Sequence, residues 1–315
     1  MRAMLPPGSI ESCNPDPIWI FRHHSPAAVT SLDFVKRPNV AAPLSDGAES
    51  DAETDGDSAS SSSAESTPGR SPRKTIPDLV AGDADGFVSL TSLQDRRPWL
   101  HWQAHSKGKS VLGVQAWIRW ASSYDQSLHI VTHGRDNEIR VWELQLQEET
   151  IEMRSTGHSG GQSRAPRCVI VLPVNALNFC RFSLTLLSNE EAPGQRFLLA
   201  VPHSLDSGFI DVFLVQTSPN GGEAASTSKF TRLHAAVGKA HLRNRTSEGG
   251  CNRAPIVMSM HIIELRNRSL AIVAGYEDGL VRLWTYDGRD DDDPDEAPWK
   301  LCWEKRAHRE SGECD

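Results

Sequence analysis

The chain has 315 residues, 38% hydrophobic and 23% charged, with 33 Lys plus Arg against 41 Asp plus Glu, a formal net charge of −8. Such a mixture belongs to a globular protein with a sizeable core, and its acidic balance argues against a surface that wraps nucleic-acid phosphate all round. No apolar run approaches the roughly 18 residues of a membrane helix, and Pro6 and Pro7 interrupt the N-terminus before a signal-peptide core forms. Neither export nor membrane insertion is expected. Cysteines at 13, 168, 180, 251, 302 and 314 form no Cys-x-x-Cys pair and match no zinc spacing, so reduced thiols in the cytosol or nucleus are expected.

The charge is concentrated. Residues 41–66 hold seven acids, eight serines and no Lys or Arg, and residues 287–296 hold seven acids against Arg289. The rest of the chain has 27 acids and 32 bases and is formally basic by 5. A segment like 41–66 buries too little apolar surface to offset its ordering entropy, so a disordered insert is expected over 38–75. Within it Ser50 and Ser62 have an acid three residues on, and Thr67 and Ser71 precede prolines, which makes these four candidate phosphorylation sites. An acidic loop is expected over 287–298.

In chain order, four segments each read as a β-hairpin: 79–90, 128–144, 197–215 and 270–286. Each is an apolar run, a turn and an alternating run, with Asp85-Gly86, Asp136-Asn137, Ser207-Gly208 and Asp278-Gly279 at the turns. An apolar strand precedes each hairpin, at 29–35, 111–118, 174–182 and 256–263, and a His-bearing segment precedes that strand. These segments end at His24, His105 and His158, with a less regular one around His234 to His241 and a fifth ending at His308. Four strands repeated between loops of variable length are the sequence form of an all-β propeller.

The units resemble the WD40 repeat. Its pattern of an outer strand ending in Gly-His, an Asp-bearing turn and a strand closing on Trp is matched in the second unit by Ala104-His105, Thr132, Asp136 and Trp142. In the fourth it is matched by Asp278 and Trp284, again six residues apart. The resemblance implies that Asp, His, Thr and the Trp indole N–H form a hydrogen-bonded chain within each blade. Thr91 and Phe213 stand where the first and third units would have Trp, so their networks should be incomplete. Trp19, Trp99, Trp102, Trp299 and Trp303 fall on outer strands, where packing between blades is the favoured reading.

The order of the whole chain is similar to the fungal ASTRA-associated protein 1 family, WD-repeat subunits of the ASTRA chromatin-regulating assembly. The similarity rests on Pro17 to His24, the acidic Ser-rich insert in the first repeat, His133 to Leu144 and Ala274 to Trp284. It implies a nuclear, non-enzymatic scaffold with protein partners: RuvB-like ATPases, kinase-related subunits and chaperone subunits. The expected organisation is a tail over 1–16 and a propeller region over 17–308. Its repeats run at about 17–93, 99–144, 150–215 and 229–286, with a fifth starting at 299. Four units fall short of a seven-bladed ring, so three further repeats, roughly 130 residues, are expected beyond Asp315, with closure into a small ring or completion by a partner as the alternatives.

Other chemistry finds little footing. Gly157-His158-Ser159-Gly160-Gly161 fits a nucleophile elbow, but polar residues 152–156 cannot form its buried strand and residues 162–166 start no firm helix. The run Asp290 to Asp293 lacks the alternating ligands of a calcium loop, and no phosphate-binding Gly pattern occurs. No cofactor, metal or membrane is expected, and direct nucleic-acid binding has no positive support. The alternative reading, a propeller adaptor such as a ubiquitin-ligase substrate receptor, lacks its Trp-Asp-x-Arg signature, because Glu143 follows Trp142 and Thr285 follows Trp284.

Overall fold

The computed structural model describes residues 27–36, 79–93, 97–120, 126–146, 165–177, 179–187, 195–217, 229–239, 241, 254–265, 269–287 and 299–308. Residues 41–66 and 288–296 of the acid-rich segments, the four candidate phosphorylation sites, Trp19, the Trp99 side chain and the Gly157 to Gly161 motif lie outside them. The described residues form sixteen strands in four sheets, and each sheet is a four-stranded antiparallel meander of consecutive strands. The first contains β1 (Val29–Phe34), β2 (Leu79–Asp83), β3 (Phe87–Ser92) and β4 (Arg97–Gln103). The second contains β5 (Val111–Trp120), β6 (Gln126–Gly134), β7 (Glu138–Gln145) and β8 (Arg167–Pro173). The third is β9 (Ser183–Leu186), β10 (Arg196–Pro202), β11 (Ile210–Gln216) and β12 (Lys229–Val237). The fourth is β13 (Val257–Glu264), β14 (Leu270–Tyr276), β15 (Leu280–Tyr286) and β16 (Lys300–Arg306). These are four blades of a WD40-type propeller.

The core is three layers, one between each pair of successive blades. The first layer sets Val80, Val88 and Leu90 against Val114, Ile130 and Trp142. The second joins Trp117, Val131 and Ile170 to Phe182, Phe197 and Phe213, and the third joins Leu198 and Ile210 to Ile262, Ile272 and Trp284. Because strand side chains alternate between faces, a blade with neighbours on both sides is covered on both. That is why every residue of β6 is buried. Trp102 on β4 meets Trp142 edge-on at 5.9 Å, and Trp299, just before β16, stacks on Tyr286 at 5.7 Å, so both pack in layers, whereas Trp303 is half exposed.

Chain direction divides the connections between two ends. The β2–β3, β6–β7, β10–β11 and β14–β15 turns share one end with the β4–β5, β8–β9 and β12–β13 connections, and hydrogen bonds join them there. His105 N–H donates to Gly86 O, Val174 N–H to Asn137 O and Val257 N–H to Ser207 O. We call this the turn end. At the far end run the β1–β2, β7–β8, β9–β10, β11–β12 and β15–β16 connections, so both acid-rich segments leave and rejoin the sheets there.

Two strands differ from the sequence reading. The inner strand of the third blade is Ser183–Leu186, and the expected strand at 174–182 is instead a connection. There the Asn175 side chain donates to His203 O at 3.1 Å and Ser207 Oγ at 3.0 Å, while its Oδ1 accepts from Leu177 N–H. These side-chain bonds hold that stretch away from a ladder. The outer strand of the second blade is Arg167–Pro173, not the segment ending at His158. Its Ile170 and Leu172 enter the second layer. Of the four turns, Gly86, Asn137 and Gly279 adopt positive φ. The Ser207-Gly208 turn does not, because seven residues separate β10 from β11 where three separate β6 from β7.

Candidate functional site

Sheet register makes the four blades comparable position by position. Thr91, Trp142, Phe213 and Trp284 pair across the sheet with Leu79, Ile130, Leu199 and Ile272, so each occupies the same place in its blade. Two residues earlier stand Ser89, Arg140, Asp211 and Arg282, opposite Ala81, Thr132, Val201 and Ala274. What differs among the blades is how the polar groups at these places are satisfied.

The second blade brings all four sequence-predicted residues together. Trp142 Nε1–H donates to Thr132 Oγ1 at 3.0 Å, Thr132 Oγ1 lies 2.8 Å from His105 Nε2, and His105 Nδ1 lies 2.9 Å from Asp136 Oδ1. Asp136 can only accept, so Nδ1 carries the proton and Nε2 takes the threonine hydroxyl. Every donor then meets one acceptor. Burial would raise the Asp136 carboxyl, but hydrogen bonds from His105 and Ser106 N–H, with the charge of Arg140, outweigh it and hold Asp136 well below the usual range. A Cβ on Gly134 would collide with the His105 ring, so glycine there makes room for the histidine.

In the fourth blade that room is filled from within. Ala274 lacks the hydroxyl of Thr132, and Tyr276, two residues on as Gly134 is from Thr132, receives the Trp284 Nε1–H on its own hydroxyl at 3.0 Å. Arg282 stacks over the Tyr276 ring at 4.2 Å and is buried between two carboxylates, Nε 2.7 Å from Glu304 and Nη2 3.1 Å from Asp278. Burial raises the Tyr276 hydroxyl against the lowering effect of Trp284 and Arg282. Asp278 therefore reaches Arg282 and the Leu280 N–H, while Trp284 bonds a tyrosine. His241 meets Trp284 edge-on at 5.7 Å.

The third blade reverses the charge. Asp211 stands where its neighbours carry arginine, accepts from His203 Nδ1 at 2.8 Å and from Ala236 N–H at 2.9 Å, and has Arg232 at 3.7 Å. His203, Asp211, Tyr276, Arg282 and Glu304 were not singled out from the sequence. The recurrent charge two residues before the Trp place was the available signal.

Two further histidines are buried in the second blade. His129 lies flat against Trp117 at 5.6 Å with Nε2 3.0 Å from Ser127 Oγ, and His133 meets Phe182 edge-on with neither nitrogen partnered among the described residues. Burial, helped by the Arg119 charge, pushes His129 down to about 4; burial, helped by His105 against the opposing Asp136, does the same to His133. Below pH 6.5 the unfolded chain takes up protons that the folded chain refuses, so stability falls with pH from 6.5 to about 4. Each site accounts for up to about 3 kcal/mol over that window. Denaturation midpoints measured between pH 7 and 4 should decline, and the double variant His129→Gln/His133→Gln should flatten the slope. An unchanged slope would refute this origin.

Among the described residues no three His, Cys, Asp or Glu side chains are grouped to hold a metal, and no helix is long and apolar enough to cross a membrane. Burial pushes the Cys180 thiol up to about 12, which keeps it protonated.

No family model matches the chain. It is similar to ASTRA-associated protein 1 of Aspergillus flavus, 28% identical over 263 residues covering 73% of this chain and 55% of that protein. The protein of the same name from Aspergillus niger is 29% identical over 259 residues, 73% of this chain and 52% of its own. That of Penicillium rubens is 33% identical over 150 residues, 43% of this chain and 32% of its own. The chain thus spans about half the length of the curated relatives it matches. Among solved structures, the WD40 domain of SCAP from fission yeast aligns with a TM-score of 0.40 at 9% identity, over 72% of this chain and 42% of that one.

Proposed function

We propose that this chain, a relative of the fungal ASTRA-associated protein 1 family, is a non-enzymatic scaffold subunit of an ASTRA-type assembly acting on chromatin in the nucleus. The similarity over 73% of the chain to proteins of that name carries the reading. The geometry supports it in a second way. His105, Asp136, His203, Asp211, Asp278 and Arg282 turn their polar groups on one another and on backbone, which rigidifies the blades. A rigid stack with variable connections suits multivalent protein contact, with affinity concentrated in a few anchors. RuvB-like ATPases, kinase-related subunits and chaperone subunits are the proposed partners. Affinity purification of the tagged chain, expressed from its native locus, should recover these proteins together. Recovery of the chain without any of them would overturn the proposal.

A further inference from the structure

We infer that the turn end of the second and third blades is a docking surface for an acidic peptide segment that carries apolar side chains. Three large apolar residues are displayed there: Leu177 at 81% exposure, Phe179 at 69% and Leu205 at 90%. Single exposed apolar residues are ordinary. These three sit on connections that are pinned rather than loose. Val174 N–H and Ala176 N–H donate to Asn137 O and Oδ1, and Asn175 ties the connection bearing Leu177 and Phe179 to the turn bearing Leu205. Apolar groups held exposed by buried hydrogen bonds lose little conformational freedom when a partner covers them.

Basic residues outnumber acidic ones around them. The Arg135 guanidinium lies over the Phe179 ring at 4.1 Å, and Arg181 follows two residues later, its Nη2 directed to Thr30 O at 3.4 Å. Arg135 N–H donates to Ser110 O, which brings the connection with exposed Lys107 and Lys109 alongside. Among the described residues none of these four cations forms an ion pair. The acids of the adjoining turns are occupied locally: Asp83 by the N–H groups of Asp85 and Phe87, Asp136 by His105 and Ser106, and Asp206 by Gly208 N–H. Exposed Asp85 is the counter-charge. An incoming carboxylate would meet Arg135 and Arg181 beside an aromatic ring already polarised by a cation, and leucine or phenylalanine side chains would cover Leu177, Phe179 and Leu205.

The test uses the full chain and a fluorescein-labelled decapeptide of alternating acids with two leucines and one phenylalanine, followed by fluorescence anisotropy. Saturable binding should weaken at least tenfold in Phe179→Ser and in the charge reversal Arg135→Glu/Arg181→Glu, and it should weaken as salt rises. Replacing the peptide's acids by lysine should abolish it. Phe179 and Arg181 are exposed and Arg135 is partly buried, so denaturation midpoints are measured alongside, and unchanged values verify the fold. No saturation by the wild-type chain up to about 1 mM, a Kd that corresponds to only about −4 kcal/mol, would overturn the inference. So would binding that both variants leave intact. Tighter binding after deletion of residues 41–66 would show that the chain's own acidic insert competes for the same surface, in support of it. Loss of ASTRA subunits on purification with retained peptide binding would refute the functional proposal alone.

Discussion

Replacing His105 by Ala lowers stability by about 3 kcal/mol, with loss of the His105 volume and of partners for two other groups as the cause. The imidazole is fully buried and joins Thr132 to Asp136. Without it the Asp136 carboxylate loses its strongest hydrogen bond and the threonine hydroxyl loses an acceptor. Stability of the full chain should be followed by far-ultraviolet circular dichroism in urea. The diagnostic is a double-mutant cycle: Thr132→Val should cost much less in the His105→Ala background than alone, with a coupling above about 1 kcal/mol. Strict additivity would mean that the four residues are neighbours without acting as a unit. Gly134→Ala should mimic His105→Ala, since the added methyl displaces the same ring.

Trp284→Ala should cost about 4 kcal/mol, the upper part of the range for a buried aromatic truncated to alanine. The side chain is wholly buried in the third layer, and the bare backbone of Gly238, in positive φ, lets its ring approach. Tyr276→Phe separates the hydroxyl's hydrogen bonding from the packing, and should cost about 1 kcal/mol because the indole N–H is left without its acceptor. The same urea titration reads both. If Tyr276→Phe were as damaging as Trp284→Ala, the tyrosine hydroxyl would be organising the blade, and the packing account would be wrong.

The contrast between these blades shows where the sequence was informative. Asp136 and Trp142 are six residues apart across one tight turn, and His105 stands just before an apolar strand, so local spacing reveals the constellation. Asp278 and Trp284 have the same spacing, yet their side chains serve different partners. The deciding residue there is Tyr276, whose ring occupies a volume that His105 enters from another connection in the second blade. Spacing along the chain carries no information about which side chain fills a shared volume. The His203–Asp211 pair spans a lengthened turn and so fell outside the template. The stretch 174–182 has the composition of a strand, but the Asn175 amide finds better partners in the neighbouring turn. Residues 168–173 form a continuous apolar run, but the segment ending at His158 is the better match to a His-bearing outer strand.

The unequal lengths of the connections bear on how this protein can change. At the turn end three of the four hairpin turns have three residues, and these turns hydrogen-bond to the connections entering the next blade. An insertion there would shift the histidine, aspartate and arginine positions together. At the far end the strands are joined by the much longer stretches 35–78, 146–166 and 287–299. Length and charge can therefore drift at one end while the geometry of the other stays constant. A reporter or affinity tag placed within 41–66 should leave the displayed Phe179 and Leu205 untouched, and it offers a handle for purification.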